Sequence, residues 1–178
     1  MSKKTLSPKK LERMLRVDQA GEYGARRIYA GQLAVLKRRG ASAKIIEKIE
    51  EMAGQEEAHL EAFNKLVAKT QARPTALQPL WHAGGFALGA LTALLGEKAA
   101  MAATVAVEEV IDQHYARQSA ALEDAPELKK LIDEFRADEN RHKQAALAAG
   151  AEQAPGYPIL RRAVAGVSRA AIWLAERV

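Results

Sequence analysis

The chain has 178 residues, enough for one domain with a substantial core and too few to expect two. Hydrophobic residues make up 48% and charged residues 28%, and there are only six prolines, which favours a helical protein. The absence of cysteine excludes disulfides, cysteine-ligated zinc, iron–sulfur clusters and thiol nucleophiles. Much of the net charge of +5 comes from residues 1–10, a basic, flexible tail suited to an anionic membrane surface. Since no nucleic-acid motif accompanies this charge, we expect no nucleic-acid partner.

The first predicted helix runs from Ser7 to Arg39, and Glu22 falls within its apolar stripe. The stripe has three- and four-residue spacing and reads Leu11, Leu15, Asp18, Glu22, Ala25, Tyr29, Gln32 and Leu36. A carboxylate therefore stands where an apolar side chain is expected. Three glycines flank it, and we interpret them as sites of close helix packing rather than of ligand binding: Gly21, Gly24 and Gly31.

The second predicted helix, from Ser42 to Lys69, carries Glu56 and His59 one turn apart on one face. The rest of that face is apolar and consists of Ile45, Ile49, Met52, Phe63 and Leu66. Burying a carboxylate is costly unless it is paired or binds a metal, so this pair needs a partner.

A connection rich in helix breakers spans residues 70–79. A crossover of this length predicts an all-α, ferritin-like four-helix bundle over residues 11–178, with additional C-terminal and interfacial helices. Residues 74–96 contain no Asp, Glu, Lys or Arg, a length that permits a membrane span. Because Pro79 and several glycines interrupt this segment, we expect an apolar surface lying at a membrane, with a span or buried core as the alternatives. Gly85-x-x-x-Gly89 is a pattern that packs helices in lipid.

Three more helices are predicted. The third begins near Phe86 or Gly96 and ends at about Leu122. The fourth runs from about Ala125 to Ala149, with a core stripe of Leu128, Ile132, Phe135, Glu139, His142 and Ala146. After a turn at Pro155–Pro158, an amphipathic helix covers 159–176, with one apolar side formed by Val164, Val167, Ala171 and Leu174.

Glu139 and His142 repeat the arrangement of Glu56 and His59, and each pair is preceded by a core-facing glutamate on the helix before it. One Glu-x-x-His is weak evidence, but two copies on core faces are a strong signal. Four glutamates and two histidines are the ligand set of carboxylate-bridged dimetal bundles: Glu22, Glu56, His59, Glu108, Glu139 and His142. Four carboxylates neutralise two divalent cations while the histidines bind as neutral rings. The alternative, buried acids paired with arginine, needs inward-facing arginines that these stripes lack.

The glutamate of the third helix is ambiguous because Glu108 and Glu109 are adjacent. Spacing from Met101 and Val105 favours Glu108, which leaves Glu109 as a supporting or solvated neighbour. Three aspartates are candidates to hydrogen-bond the outer nitrogens of the histidine rings, with simple exposure as the alternative: Asp18, Asp112 and Asp138.

Six blocks resemble the motifs of the demethoxyubiquinone hydroxylase family, in order and over nearly the whole chain from about Leu11. They are RVDQAGEYGA at 16–25 with RIYAGQ at 27–32; Gln55-Glu56 with His59-Leu60; RPT at 73–75 with PLW at 79–81; GFALGA at 85–90; TVAVEE at 104–109 with His114-Tyr115; and Phe135-Arg136 with Glu139 and His142. A departure is Trp173, where relatives are expected to have tyrosine.

The resemblance implies a non-haem di-iron monooxygenase that uses O2 to hydroxylate the ring of a polyprenylated methoxy-benzoquinol in ubiquinone biosynthesis. It places the two iron ions on the six residues chosen above and makes the segment around 81–95 a surface for membrane attachment and quinone access. Two electrons must arrive for each turnover. No Gly-x-Gly-x-x-Gly fingerprint occurs, so a bound flavin or a Rossmann domain is not the expected donor; the alternatives are an external reductant such as NADH and reduction through the quinone itself. Tyr115 and His114 are candidates for a proton or electron relay, with a tyrosine hydroxyl merely satisfied within the bundle as the alternative.

The resemblance further implies a peripheral protein on the cytoplasmic face of a bacterial inner membrane, with the mitochondrial inner membrane as the alternative. A lipid-binding partner protein of the same pathway is expected in some organisms, and a homo-oligomer is compatible with the sequence. One rival is a ferritin-like iron-binding or ferroxidase protein, which predicts a polar exterior without the uncharged run at 74–96. A metal-free basic bundle at a membrane surface is another. A peroxidase with a cysteine-rich iron site is excluded by the lack of cysteine.

Overall fold

The computed structural model describes residues 6–178, and across that range the chain forms six α-helices. Their bounds are α1 Pro8–Arg38, α2 Ala43–Thr70, α3 Gln78–Leu94, α4 Glu97–Ser119, α5 Pro126–Ala148 and α6 Tyr157–Ala175, with a 3-10 turn at Ala151–Gln153. No strand occurs within residues 6–178, which confirms the predicted all-α class. Residues 1–5 of the predicted basic tail lie outside the described range, and residues 8–10 already belong to α1.

The ends of α1 and α2 follow from local chemistry, and the predicted limits are correct to within one residue. The Ser7 hydroxyl accepts a hydrogen bond from the Lys10 backbone N–H, and Pro8 occupies the first turn, where its missing N–H costs nothing. Helix α2 ends at Thr70, and the residue that follows, Gln71, adopts a left-handed conformation with φ of 54°.

Helices α1 and α2 form one hairpin and α4 and α5 form the other, while the crossover helix α3 packs on α1 and α6 packs on α4. The predicted core faces of α1, α2 and α5 all turn inward. Two apolar clusters fill the bundle on either side of Glu56–His59 along α2. One contains Ile45, Ile49 and Met52, and the other contains Phe63 and Val67. The four-helix core therefore encloses a polar layer between two apolar ones.

The segment 74–96 differs from its predicted form in one respect, because the helix α3 continues through its proline and glycine residues. Pro79 lies in the first turn of α3, where proline is tolerated, so the helix begins inside the predicted connection. The third predicted helix accordingly starts after Gly96 rather than near Phe86. Likewise, α6 begins at Tyr157 because Pro158 occupies its first turn. None of the helices between residues 6 and 178 is both long enough and apolar enough to cross a membrane.

Glycines bring α3 unusually close to α1. A Cβ atom at Gly89 would overlap the Ile28 carbonyl, and one at Gly31 would overlap the Phe86 carbonyl. The packing interpretation is therefore correct at Gly31, and Gly89 of the GxxxG pattern packs against α1. At Gly21 and Gly24, by contrast, an added Cβ would meet no atom of the described chain within 4 Å. Those two glycines border a cavity, although the Gly24 carbonyl also lies close enough to α3 that a Cβ atom at Gly85 would overlap it.

Candidate metal centre

Helices α1, α2, α4 and α5 bring all six predicted ligands into one buried cluster. None of the six is more than 3% exposed: Glu22, Glu56, His59, Glu108, Glu139 and His142. Each lies on the inward stripe of its helix, midway between the two apolar core clusters. The helical period alone therefore aims four carboxylates and two imidazoles at one point.

The six side chains fall into two overlapping groups, each with ligand atoms within 4.8 Å of one another. The first group is Glu22, Glu56, His59 and Glu139, and the second is Glu56, Glu108, Glu139 and His142. Glu56 and Glu139 belong to both. This is the arrangement needed to hold two cations side by side, with two carboxylates shared between them.

Both histidines turn Nδ1 toward the carboxylates. In His59, Nδ1 lies 3.5 Å from Glu22 Oε2 and 3.3 Å from Glu139 Oε1. In His142, Nδ1 lies 3.3 Å from Glu56 Oε1 and 3.2 Å from Glu139 Oε2. The inner nitrogen of each ring is therefore placed as a metal donor, which leaves Nε2 to be fixed by another residue.

The outer nitrogens have different partners. His59 Nε2 lies 3.1 Å from Asp138 Oδ2, so the prediction for this aspartate is confirmed. His142 Nε2 lies 2.7 Å from Gln55 Oε1, a contact that the sequence analysis missed. The sequence contained a signal for this contact: Gln55 directly precedes Glu56, the same position relative to Glu-x-x-His that Asp138 has before Glu139. The other two aspartates serve elsewhere: Asp112 pairs with Arg136, and Asp18 contacts His114.

The cluster contains acceptor atoms that the protein does not satisfy. Among residues 6–178, none offers a hydrogen bond to Glu56 Oε1 or Oε2, Glu22 Oε2, Glu108 Oε2, Glu139 Oε1 or His59 Nδ1. Leaving such buried groups unpaired costs about 1–3 kcal/mol each. Carboxylate oxygens and imidazole nitrogens converging in this way fit a pair of divalent transition metals, and iron is within the range that such donors bind.

Without metal, the cluster must hold protons. Burial, reinforced by the negative charge of Glu139, raises the pKa of both Glu56 and Glu108 well above the usual value. Burial also opposes the charge on Glu139 and on His59, but the neighbouring groups of opposite charge prevail at both. The nearby rings of His142 and His59 lower the pKa of Glu139 to about 2, and the nearby carboxylates of Glu139 and Glu22 raise the pKa of His59 to about 9. Cations entering the cluster would displace these protons.

Two tyrosines support the unshared glutamates in a pseudo-symmetric way. Tyr29 on α1 donates to Glu108 Oε1 of α4 at 2.7 Å, and Tyr115 on α4 donates to Glu22 Oε1 of α1. Each tyrosine lies two turns beyond the glutamate of its own helix. The sequence analysis selected Tyr115 and missed Tyr29, although the two share this spacing.

The other candidates on α4 do not reach the cluster. His114 Nε2 lies 3.0 Å from Asp18 Oδ1, which also accepts from Gln118 at 2.7 Å. Glu109 forms an ion pair with Arg161 of α6 at 2.5 Å. Glu108 is thus the glutamate of α4 that faces the carboxylates, as the spacing predicts.

An apolar cavity of about 370 Å³ lies beside the cluster, between α1, α3, α4 and α6. Its walls include Gly21 and Ala25, which flank Glu22 along α1, and Val107 and Ile111, which flank Glu108 along α4. Val167, Ala171 and Leu174, predicted to form the apolar side of the last helix, line it from α6. Small and apolar neighbours of the two glutamates, rather than the glutamates themselves, thus line the cavity, which has room for an aromatic ring.

A four-helix core that carries Glu, Glu-x-x-His, Glu and Glu-x-x-His on successive core helices places the protein among ferritin-like bundles with a buried carboxylate–histidine cluster. The family model for "Ubiquinone biosynthesis protein COQ7" matches residues 9–175. The chain belongs to this family, which confirms the resemblance found in the sequence.

Relatives in bacteria and animals carry names of the same kind. The chain is 56% identical over 169 residues to the 3-demethoxyubiquinol 3-hydroxylase of Rhodospirillum rubrum, covering 94% of this chain and 78% of the relative. It is 47% identical over 183 residues to the NADPH-dependent 3-demethoxyubiquinone 3-hydroxylase, mitochondrial, of Homo sapiens, covering 100% of this chain and 82% of the relative. The match to the protein of the same name in Mus musculus is 49% over 172 residues, covering 94% and 77%.

Proposed function

We propose that this protein is a di-iron monooxygenase that hydroxylates the ring of a polyprenylated demethoxyubiquinol with O2, in ubiquinone biosynthesis. The observation that carries the proposal is the pair of overlapping ligand groups that share Glu56 and Glu139. The names of the relatives support the substrate class and the reaction. In the net reaction one oxygen atom of O2 enters the ring and the other leaves as water, consuming two electrons and two protons.

The six clustered residues would hold the two iron ions, and their fixed positions are the protein's main contribution. Glu22 with His59, and Glu108 with His142, would each serve one ion, while Glu56 and Glu139 would lie between them. When bound, a ferrous pair supplies the capacity to activate O2. The two tyrosine hydroxyls orient the unshared glutamates, and the apolar walls around the cluster exclude bulk water.

The apolar cavity would bind the quinol ring. The residues that flank Glu22 and Glu108 in the sequence and line the cavity are all small or apolar, so a ring there would approach the cluster without meeting a competing polar side chain. Leu80, Trp81 and Leu88 extend the lining along α3. A prenyl tail leaving the cavity would follow this helix outward, since burying apolar surface there is favourable.

The exposed apolar side chains of α3 and α6 would rest on a membrane. Leu91 of α3 is 62% exposed, Leu95 immediately after α3 is 69% exposed, and Trp173 of α6 is 53% exposed. A row of leucines this exposed is unusual for a protein surrounded by water on all sides. We place the protein peripherally at a membrane, on the cytoplasmic face of a bacterial inner membrane, where polyprenyl quinols reside.

Tyr115 and His114 would serve the delivery of protons or electrons from an external reductant such as NADH. The support is geometric: the Tyr115 hydroxyl donates to Glu22, and the next residue back, His114, contacts the buried Asp18. His114 also lines a small surface pocket together with Arg13 and Arg117.

The direct test supplies iron-loaded protein with a short-chain demethoxyubiquinol, NADH and ¹⁸O2, and measures the product by mass spectrometry. We expect hydroxylated quinol containing one ¹⁸O atom, loss of product in Glu56→Ala and His142→Ala, and retention in the exposed control Glu57→Ala. Two irons per chain without hydroxylation, with substrate and reductant supplied, would overturn the proposed reaction. Iron oxidation alone would then favour the ferroxidase alternative.

A further inference from the structure

The two ligand groups of the cluster have matching residues, except at the partners of the outer histidine nitrogens. Both halves share Glu56 and Glu139, both add one glutamate, and both have a tyrosine that donates to that glutamate. The outer nitrogen of His59, however, faces a carboxylate, that of Asp138, whereas the outer nitrogen of His142 faces the neutral amide of Gln55. The negative charge behind the two rings is therefore unequal.

A carboxylate behind a ligating histidine affects a metal in two ways. It accepts a hydrogen bond from the outer N–H and so makes the inner nitrogen a better donor, and it adds negative charge near the cation. An amide oxygen fixes the ring in the same tautomer but adds no charge. Removing such a supporting partner typically changes metal affinity by about 10- to 100-fold.

The other charges near the two rings are exposed and paired. Glu51, whose charge acts on His142, is 56% exposed and forms an ion pair with Lys48. Arg141 pairs with Asp138, but its side chain is 66% exposed, so solvent screens much of its charge. Asp138 itself is only 21% exposed. The neighbouring rings also differ without carrying charge: His59 stacks on Phe135 at 3.9 Å, and His142 meets the edge of Tyr29 at 6.5 Å.

We infer that the two metal positions are inequivalent, so that the position of Glu22 and His59 binds a divalent cation more tightly and fills first. Asp138 and Gln55 are the positioning residues that set this order. The inference rests on the metal centre proposed above and adds an order of occupancy to it. The second position, beside Gln55, is accordingly the one that exchanges its ion more readily.

The test is a titration of metal-free protein with Co²⁺ alone, at one fixed pH, followed by calorimetry and by the visible absorption of bound cobalt. The wild type is expected to bind two ions in two steps. Asp138→Asn should weaken the first step by about 10- to 100-fold and alter its absorption bands. Gln55→Glu should strengthen the second step and alter the bands of that step, while Gln55→Met should weaken it.

Matched controls separate these effects from a general change in charge. Gln144→Glu adds the same charge at an exposed position of α5, and Asp133→Asn removes one from an exposed pair with Lys129. Both should leave both steps unchanged. Circular dichroism on each variant verifies that the helices are intact.

Two steps alone are not decisive, because the first cation repels the second, so the variants carry the test. The inference is overturned if two ions bind but Asp138→Asn and Gln55→Glu change the same step, or change neither. It is also overturned if the wild type binds two ions with equal affinity in one step. Failure to bind two ions per chain at all would instead refute the metal centre itself.

Discussion

Replacing Glu56 by methionine should stabilise the metal-free protein, the opposite of the usual effect of a core substitution. Glu56 is fully buried, and neither of its oxygens has a hydrogen-bond partner within residues 6–178. A buried polar group left unpaired costs about 1–3 kcal/mol. Methionine has a similar length and fits the apolar stripe that Met52 continues one turn away.

We therefore expect the free energy of unfolding of the metal-free protein to rise by about 1–3 kcal/mol in Glu56→Met. For a chain of this size that is an increase in Tm of about 2–12 °C. In the same variant, added metal should no longer raise Tm, because one of the two shared ligands is gone. The wild type should show the reverse pattern, with a low Tm without metal and a higher one with it.

The assay is thermal unfolding by circular dichroism, with chelator and with excess Fe²⁺ under anaerobic conditions. The matched control is Glu57→Met at the adjacent, solvent-exposed position, where the side chain is 58% exposed and the change should stay within about 0.5 kcal/mol. If Glu56→Met lowered the Tm of the metal-free protein, or if it kept the stabilisation by metal, the account of the cluster would be wrong.

Three further results are expected. Folding raises the pKa of His59 to about 9, so protonated His59 should stabilise the metal-free protein. This contribution should be fully present below pH 6.5, and up to roughly 3 kcal/mol of the free energy of unfolding should be lost as the pH rises to 9. Urea denaturation across this pH range should show the loss in the metal-free protein and not in the metal-loaded protein. Gly89→Ala should destabilise the protein by about 3 kcal/mol in the same assay, because the added Cβ would overlap the Ile28 carbonyl. The control Gly166→Ala should be neutral or stabilising, because the described chain leaves open space at that position. Gly24→Val should leave Tm nearly unchanged but raise the KM for the quinol by about tenfold, because the side chain enters the cavity; an unchanged KM would remove the cavity from the reaction.

The candidate site could be predicted from the sequence because its charged and polar residues lie on helix faces that are otherwise apolar. A glutamate on an apolar stripe of a helix has few explanations. Four such glutamates, together with two histidines at a repeated spacing, point to a dimetal site. The structure brings all six together, as that argument requires. The start of the first helix at Ser7 was also readable from the sequence, because capping is a local effect.

What could not be predicted depends on contacts between distant parts of the chain. Pro79 looked like a breaker, but whether a proline ends a helix or begins one depends on the turn it occupies. Gly24 and Gly31 look alike in the sequence, yet a Cβ atom would meet open space at Gly24 and would overlap α3 at Gly31, and only the position of α3 distinguishes them. Gln55 is an ordinary helical residue until α5 places His142 against its amide.

The central claim is that Glu56 and Glu139 hold two metal ions in one centre, and anomalous diffraction at the iron edge tests it most directly. Crystals of the iron-loaded protein should show two peaks about 3.5–4 Å apart, with Glu56 and Glu139 contacting both. A single peak, or two peaks that do not share these two carboxylates, would contradict the account.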